Sequence, residues 1–443
     1  MALDLAFGKE KGRMKRFTAL FLCIIAVITF LNACQSNIVD ENETGEQKKE
    51  IKVLLPEHPY ADLLISMIPE FENETGISVI VEQIGEGDIT NKQVEAIEKG
   101  EFTADVFMTR PMTETLTFLK NNWMMPLNDY DFSDYPDNTL EIGFRDGVAY
   151  FVPLVVEWQV LYYRKDLLQA AGLDVPSTLE ELEEAASILN TDDIAGFASR
   201  GAGSPAVSQI SGFIYNFGGR FIKNGAAAFD STEAVEAISL YGRLLGMYGP
   251  DGVDTMSWSE IMSLFQAGNV AMWTDASVFY GQLIDPEVSQ VTVENIGVAS
   301  LPRGPVSDSP YLMTSWGMSI SSKTEDPDSS MLFLNWATSN EMAKKAMAEN
   351  IPTARASVWN DPLVTESINP EIVATMIHAT QFGYPYALPF MTSIVRAREL
   401  IGDVISESIN TSGTSPRLQS LATQRAADVN ELLREDGEYG TAR

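Results

Sequence analysis

Residues 152–189 read VPLVVEWQVLYYRKDLLQAAGLDVPSTLEELEEAASIL. The first part is a nearly continuous apolar run, which is typical of a buried strand. The second part offers Ser177 or Thr178 as a helix N-cap, with Glu180 or Glu181 three residues further on, as in a capping box. Leucine and alanine then recur at spacings of three and four residues, which predicts a helix with one apolar face. The segment therefore predicts a buried strand followed by a core-facing helix.

Glu157 stands in the middle of the apolar run and is followed by Trp158 and Gln159. Burying a carboxylate costs free energy unless hydrogen-bond or charge partners compensate it. Successive side chains of a strand point to opposite faces, so Glu157 and Gln159 should share one face and Trp158 should take the other. Strand alternation therefore predicts Glu157 and Gln159 on one face and Trp158 turned towards the core, and by itself it gives Glu157 no role.

Apolar segments alternate with helical patterns on both sides of this block. Upstream, the predicted strands IKVLL, ISVIVEQI and ADVFMT are followed by predicted helices at 60–75, 91–99 and 112–121. Downstream, LYYRKDLL, AGFAS, NVAMWT and NIGVASL are predicted strands set between helices. The segment LPRGPVSDSP is predicted to be a surface connection or a crossover between lobes. The alternation favours an α/β fold with mostly parallel sheets and helices on both faces.

The composition excludes several classes of protein. The chain has 443 residues, of which 62 are acidic and 30 are basic, giving a formal net charge of -32. Such a chain repels nucleic acid and anionic lipid, so we predict no nucleic-acid partner. Its two cysteines, Cys23 and Cys34, and two histidines, His58 and His378, offer neither a disulfide framework nor a histidine-rich zinc site. We predict neither a metal nor a cofactor.

The N-terminal residues are typical of an export signal. Residues 14–34, MKRFTALFLCIIAVITFLNAC, combine a basic start with an apolar stretch that is short for a membrane-spanning helix. We predict a signal peptide at 1–33 with its true start at Met14; an uncleaved N-terminal anchor is the alternative. The LNAC motif resembles a bacterial lipobox, in which the cysteine, here Cys34, becomes the lipidated first residue. The polar residues 34–49 are then a flexible tether.

Common catalytic motifs do not occur in the sequence: HExxH, GxSxG, GxxxxGKS and GxGxxG are absent. The 62 carboxylates are compatible with a pair of catalytic acids of the kind that glycoside hydrolases use. A secreted carbohydrate-active hydrolase is therefore the alternative to a binding protein.

Aromatic residues accompany polar residues at several predicted strand ends, which is where open α/β sheets bind ligands. Sugars pack their C–H faces on aromatic rings, and their hydroxyls require fixed donors and acceptors. The pattern therefore favours a carbohydrate ligand. The stretches concerned are VEWQ at 156–159, MWTD at 272–275, TSWG at 314–317 and GYPYAL at 383–388.

Several segments stand in the order in which one protein family carries them. They are GISVIVEQI, ADVFMTR, the segment quoted at the outset, FQAGNVAMWTDASVFYG, IGVASLPRGP, GMSISSKTEDPDSSMLFLNWATS and IPTAR. The chain thus resembles the extracellular solute-binding proteins of bacterial ABC importers. The resemblance covers nearly the whole chain after the predicted tether. The resemblance is to their carbohydrate-binding family 1, typified by maltose-binding protein.

The resemblance implies a two-lobed periplasmic-binding-protein-like fold of type II, with the ligand in a cleft between the lobes. It implies an N-terminal lobe of 50–157 with 311–360 and a C-terminal lobe of 158–310 with 361–443. The ligand would be a monosaccharide, a short oligosaccharide or a sugar alcohol, delivered unchanged to an ABC permease, so that no enzymatic activity is expected. We expect a monomer, lipid-anchored through Cys34 to the outer face of the cytoplasmic membrane. A ligand-binding sensor component would use the same lobes and is a further alternative.

The resemblance also implies ligand contacts at strand ends and near the C-terminal helices. Three of the expected residues have structural alternatives: Trp273 as a core residue, His58 as a solvated loop residue and Arg355 in a structural salt bridge. The expected ligand-binding residues are Glu57, His58, Arg110, Glu157, Gln159, Trp273, Asp275, Trp316, Arg355, Tyr384 and Tyr386.

Overall fold

The computed structural model describes residues 49–85, 88–101, 104–145, 147–307 and 310–441 of the 443-residue chain. The predicted signal peptide, the predicted lipidation site at Cys34 and the predicted tether up to residue 48 lie outside the described residues. Strands and helices alternate over the first part of the described chain, and helices predominate after the last long strand.

The strands of the described residues are short, apart from one of 13 residues in the segment that predicted a buried strand. They are β1 (Glu50–Pro56), β2 (Ser78–Ile84), β3 (Val106–Thr109), β4 (Phe144–Arg145), β5 (Val148–Ala149), β6 (Val152–Arg164), β7 (Ile222–Lys223), β8 (Ala226–Ala227), β9 (Met272–Ala276), β10 (Ile296–Ser300) and β11 (Leu312–Ile320).

The α-helices of the described residues range from single turns to 18 residues. They are α1 (Pro59–Thr75), α2 (Ile89–Lys99), α3 (Pro111–Lys120), α4 (Asp137–Leu140), α5 (Lys165–Ala171), α6 (Leu179–Leu189), α7 (Gly203–Asn216), α8 (Thr232–Tyr248), α9 (Trp258–Gln266), α10 (Tyr280–Leu283), α11 (Pro327–Ala337), α12 (Asn340–Ala348), α13 (Ala356–Trp359), α14 (Pro362–Thr365), α15 (Pro370–Phe382), α16 (Ile394–Asn410) and α17 (Leu418–Glu435). Within the part of the chain that the structure describes, none of these helices is both long and apolar enough to cross a membrane.

Seven strands form the central sheet, in the order β10, β6, β11, β3, β1 and β2, with β9 also paired to β6. β1 pairs in parallel with β2 and β3, and parallel bridges join Ala195 to Val270 and Ala198 to Trp273. The long β6 pairs antiparallel with β9, β10 and β11, and β11 returns antiparallel to β3. The parallel pairing therefore belongs to the βα units, and the antiparallel pairing to the strands at the centre.

β6 joins the two parts of this sheet. Its first half, Val152 to Trp158, pairs with β11, and its second half, Gln159 to Arg164, pairs with β9 and β10. Every side chain of β6 is buried except those of Glu157 and Arg164, which are partly exposed. Burial on both faces explains the continuous apolar sequence. Glu157 lies where the strand changes partners.

The structure confirms several of the predicted elements. The three upstream strands are each followed by a helix, α1, α2 and α3, within two residues of the predicted bounds. The capping box before α6 is formed by Thr178 and Glu181: Thr178 Oγ1 accepts from the Glu181 N–H at 3.1 Å, and Glu181 Oε2 accepts from the Thr178 N–H at 3.2 Å. The apolar face of α6 is buried, as its spacing predicts.

Two of the predicted strands are wrong in part. LYYRKDLL continues as a strand only to Arg164, and α5 begins at Lys165. Asp166 lies in the first turn of α5, where a carboxylate is favourable, and accepts from Arg164 Nε at 2.8 Å, so the charged residues end the strand and begin the helix. AGFAS contributes only the isolated bridges at Ala195 and Ala198.

Candidate functional site

A cavity of about 380 Å³ lies beside Glu157. Its walls come from segments that are far apart in sequence, including the start of α1, the start of α3, β6, β11 and α16. The structure therefore brings together four of the predicted residues, His58, Arg110, Glu157 and Trp316. The residues lining the cavity are His58, Pro59, Arg110, Met112, Thr113, Glu157, Arg200, Ser208, Trp258, Val278, Phe279, Gln282, Ser315, Trp316, Ile351, Leu388 and Arg398.

His58 is fixed in the cavity wall by its position as the N-cap of α1. Its Nδ1 accepts a hydrogen bond from the Tyr60 N–H at 3.1 Å, and its ring centroid lies 5.6 Å from that of Trp316. Burial lowers the pKa of His58 to about 4, and the carboxylate of Asp62 offsets only part of this effect. The imidazole is therefore neutral near pH 7, and it presents no cation to a ligand.

Arg110 follows β3 and is the N-cap of α3. Its Nε lies 3.4 Å from Glu114 Oε1, and its Nη2 donates to the hydroxyl of Thr90. Glu114 is only 1% exposed and also accepts from the Arg110 backbone N–H at 2.9 Å. The Arg110 guanidinium lies 5.8 Å from the ring centroid of Trp316, so one side chain is held between a buried carboxylate and an aromatic ring.

Asp275 lies behind the cavity wall and holds Arg200 in place. Arg200 donates from Nε to Oδ2 at 2.9 Å and from Nη2 to Oδ1 at 2.5 Å, while Asp275 itself is fully buried. Burial acts to lower the pKa of Arg200, but the charge and hydrogen bonds of Asp275 raise it above its ordinary value. Arg200 thus stays charged and lines the cavity, and Asp275 is a supporting residue of the wall.

Gln159 supports the same wall from β6. Its Nε2 donates to the backbone carbonyl of Gln209 at 2.8 Å, and Gln209 Nε2 lies 2.9 Å from both Asp275 Oδ1 and the hydroxyl of Tyr311. Gln159 and Gln209 are fully buried. Gln159 therefore does not line the cavity; it takes part in a hydrogen-bond network that fixes Asp275 and, through it, Arg200.

Arg398 enters the cavity from α16. Its Nε and Nη2 donate to the backbone carbonyl of Ser204 at 3.3 and 3.0 Å. Unlike Arg110 and Arg200, it has no carboxylate within 4.0 Å among the described residues. Burial lowers the pKa of Arg398 to about 10, and the neighbouring charges of Arg200 and Arg110 act in the same direction. It remains a cation at neutral pH.

Aromatic rings form another part of the cavity wall. Trp258 stacks on Phe279 with centroids 4.9 Å apart and planes 16° apart, and Phe279 stacks on Trp273 at 5.8 Å. Trp258 is 36% exposed, whereas Trp273 is fully buried at the rear of the stack. Trp316 lines the cavity but is only 2% exposed. The ring with the most surface available to a ligand is therefore that of Trp258. Trp273 lies in the core, which is the structural alternative stated for it in the sequence analysis.

Four further predicted residues lie away from this cavity. Glu57 is exposed and does not line it. Arg355 pairs with Asp134 at 2.9 Å and donates to the carbonyl of Thr338 at 2.7 Å, which is the structural salt bridge given as its alternative.

Tyr384 and Tyr386 line a second, smaller cavity of about 70 Å³ beside Arg220. The Arg220 guanidinium lies 4.6 Å from the Tyr384 ring centroid, and the Tyr386 hydroxyl donates to Glu141 Oε1 at 2.9 Å. These contacts occupy both aromatic side chains with protein partners.

Sequence reasoning missed Arg200, Trp258, Phe279 and Arg398. Arg200 directly follows the AGFAS segment, so the rule that ligands bind at strand ends points to it. Arg398 lies within a long helix, and no local pattern distinguishes it from other helical arginines. Among the described residues, no group of three or more histidine, cysteine, aspartate or glutamate side chains is placed to hold a metal ion.

Comparison with known families defines the class of the protein. Residues 58–344, well over half of the chain, match the model of the bacterial extracellular solute-binding protein family. The chain therefore belongs to that family, which confirms the resemblance drawn from its segments.

Individual relatives and solved structures agree with this assignment. The mannitol-binding protein of Pseudomonas aeruginosa is 29% identical over 365 residues, covering 76% of this chain and 82% of that protein. The maltodextrin-binding protein MdxE of Bacillus subtilis is 25% identical over 353 residues, covering 74% and 78%. An ABC transporter solute-binding protein from Agrobacterium radiobacter K84, solved with ribitol, superposes with a TM-score of 0.74 at 23% identity over 87% of this chain and 98% of that one. The likeness shows the two-lobed fold and confirms the predicted fold class.

Proposed function

We propose that the protein captures a small carbohydrate, either a monosaccharide, a short oligosaccharide or a sugar alcohol, in the cavity beside Glu157 and delivers it to an ABC permease. The observation that carries the proposal is the lining of that cavity. One carboxylate, the guanidinium groups of Arg110 and Arg200, and the exposed ring of Trp258 surround a single space. Hydroxyl groups need such fixed donors and acceptors, and sugar C–H faces pack on such a ring.

The size of the cavity supports a compact ligand. Ligand pockets commonly measure about 300–1,000 Å³, and the volume of about 380 Å³ is near the lower end of that range. The relatives named for mannitol and maltodextrin, and the solved relative with ribitol, point to the same chemical class.

The position of Glu157 suits closure around a ligand. The strand that carries it changes partners there, from β11 to β9 and β10. With lobes of 50–157 plus 311–360 and 158–310 plus 361–443, rotation about this crossing would close the lobes on a ligand bound at Glu157. The closed form would then be the form that the permease recognises, and the ligand would leave unchanged.

The proposed location is the outer face of the cytoplasmic membrane. The supporting features are the export signal and the LNAC motif, which would lipidate Cys34 and leave residues 34–49 as a tether. The folded body would then reach the permease as a monomer held near the membrane.

Binding can be tested with a panel of sugars and polyols by thermal shift and isothermal titration calorimetry. A ligand present at 100 times its Kd stabilises the folded state by about 2.7 kcal/mol, so the unfolding midpoint should rise with ligand concentration. Saturable binding of a carbohydrate would support the proposal. Binding of a peptide or a polyamine with no response to any carbohydrate would overturn the substrate class.

A hydrolase is the weaker reading of the same cavity. Glycoside hydrolases of the common type use two carboxyl groups across the scissile bond, whereas Glu157 is the one carboxylate among the described residues that line this cavity. Incubation with oligosaccharides followed by an assay for new reducing ends separates the two functions. We expect none to appear.

A further inference from the structure

The cavity contains more positive than negative side chains, in a chain of the opposite overall charge. Arg110, Arg200 and Arg398 line it together with the single carboxylate of Glu157, and His58 is neutral near pH 7. The chain as a whole has 62 acidic and 30 basic residues. Three arginines facing one space are therefore not a consequence of general composition.

Two of the three arginines are neutralised by buried carboxylates in the wall. Glu114 is within ion-pair distance of Arg110, at 3.4 Å, and Asp275 holds Arg200 at 2.5 Å; the two carboxylates are 1% and 0% exposed. Each of these arginines can donate to ligand hydroxyl groups without adding net charge to the site. Their carboxylates lie behind the cavity lining.

Arg398 has no such neutralising partner. Its protein acceptor is the carbonyl oxygen of Ser204, which takes hydrogen bonds from Nε and Nη2. No carboxylate among the described residues lies within 4.0 Å of it, and the charged side chains acting on it are those of Arg200 and Arg110. The carboxylate of Glu157 acts electrostatically on Arg200 and helps to raise the pKa of that residue.

A partly buried guanidinium without a paired carboxylate is unfavourable in the empty protein. Burial removes water from the guanidinium, and two like charges nearby add repulsion, as the lowered pKa of about 10 reflects. A ligand anion placed at Arg398 would supply the missing negative charge. A guanidinium also presents planar, paired donors that match a carboxylate, and Ser204 leaves the Nη1 donors for this purpose.

We propose that the ligand is an acidic carbohydrate, a polyhydroxylated molecule whose carboxylate is bound by Arg398 while its hydroxyls are bound by Glu157, Arg110 and Arg200. This rests on the proposed capture of a carbohydrate in the same cavity and specifies the ligand class. One guanidinium without a counter-ion matches one negative charge. A phosphate ester carries about 1.5 to 2 negative charges at pH 7, so a carboxylate is the better match.

The test compares ligands that differ only in the acid group. D-gluconate and D-glucitol, D-mannonate and D-mannitol, and D-glucuronate and D-glucose are titrated calorimetrically into the mature protein at pH 7 and low ionic strength. We expect at least one acid to bind tenfold or more tightly than its neutral partner. Glucose 6-phosphate, titrated alongside, should bind more weakly than the preferred acid.

The variant Arg398→Gln should reduce the ratio of acid to neutral affinity to near one. Arg398→Lys keeps the charge but loses the planar fork, so it should retain part of the preference. Arg396→Gln is the matched control, because Arg396 lies on the same helix, is 62% exposed and pairs with Glu399. It should leave the ratio unchanged, and unfolding curves of all variants without ligand show whether each is folded.

The outcomes separate the two proposals. A neutral polyol that binds as tightly as its acid, or an Arg398→Gln protein that keeps the acid preference, would overturn the acidic-ligand inference and leave carbohydrate capture standing. Tighter binding of the phosphate ester would overturn the carboxylate as the anionic group. If neither these pairs nor any sugar or polyol of the wider panel binds, carbohydrate capture fails as well.

Discussion

Glu157 is a carboxylate in a strand whose other side chains, except Arg164, are buried, and its surroundings explain how the fold tolerates it. It faces a cavity that Arg200 also lines, so it is partly exposed and lies near a cation instead of in the apolar environment that the sequence suggests. Trp158, its neighbour, is 2% exposed and lies outside that cavity, as strand alternation predicts. The side chains at 157 and 158 therefore take the two faces of one strand.

Replacing Glu157 by glutamine should weaken binding without changing the fold. A hydrogen bond to a charged group contributes about 1.5–3 kcal/mol, so the Glu157→Gln variant should lose about tenfold to 150-fold in affinity. Calorimetry with the best ligand of the panel measures the change. Glu294→Gln, the same substitution at an exposed position outside the cavity, is the control. Normal affinity in Glu157→Gln would remove this residue from the site.

His58 should make the stability of the protein depend on pH. Its pKa is lowered from 6.5 to about 4 in the folded protein, so the unfolded chain binds the proton more readily. The stabilising contribution is complete above about pH 6.5 and is lost as the pH falls from there towards 4. Protonation would also remove the Nδ1 lone pair that accepts from the Tyr60 N–H.

The variant His58→Asn isolates this effect, because asparagine is also a good N-cap acceptor but does not titrate. Urea unfolding between pH 7 and 4.5 should show a smaller loss of stability in His58→Asn than in the unmodified protein. Carboxylates titrating in this range affect both proteins alike and cancel in the difference. Identical pH dependence in the two proteins would show that His58 does not resist protonation on folding.

At the scale of elements, helix α7 packs closely on β6. A Cβ added at Gly212 would lie 1.9 Å from Gln159 Oε1 and 2.6 Å from Leu301 Cδ2. Overpacking a core in this way costs about 1–3 kcal/mol. Gly212→Ala should therefore destabilise the protein and, by displacing Gln159, disturb the network that fixes Arg200.

A second glycine of the same helix provides the control. At Gly203 the nearest atom to an added Cβ is Ser406 Oγ, at 3.7 Å, so Gly203→Ala should be neutral or stabilise by about 0.4–1 kcal/mol. Chemical unfolding measures both variants. In a double-mutant cycle, Gln159→Ala should relieve part of the Gly212→Ala penalty. Equal stability of Gly212→Ala and Gly203→Ala would contradict the close packing.

The elements that the sequence predicts well are those set by local patterns. The capping box at Thr178 and Glu181 and the first three βα units depend on spacing and helix signals within a few residues. The sequence does not mark the end of β6, because apolar residues such as Tyr163 and Leu168 stand on both sides of the turn into α5. The cavity wall is harder to predict, because Arg200 and Arg398 line one cavity only through tertiary packing of segments almost 200 residues apart. No local pattern contains that proximity.

At the scale of the whole molecule, β6 links the architecture to the proposed function. It pairs with β11 on one side of Glu157 and with β9 and β10 on the other, so the site lies at the crossing of the chain. Residues of α1 and α3, early in the sequence, and of α16, late in the sequence, all line the cavity beside Glu157. A ligand bound there would contact both parts of the sheet, as the proposed trapping between lobes requires.

The position of the molecule in the cell should depend on Cys34. If LNAC is a lipidation motif, an alkyne-labelled fatty acid fed to a bacterium producing the full chain should become attached to the protein, and the protein should sediment with membranes. Cys34→Ser should abolish labelling and reduce the membrane-bound fraction, whereas Cys23→Ser, inside the apolar stretch, should change neither. A chain begun at Met14 should be labelled like the longer one. Retention of Cys34→Ser in the membrane without label would instead support the apolar stretch as an uncleaved anchor.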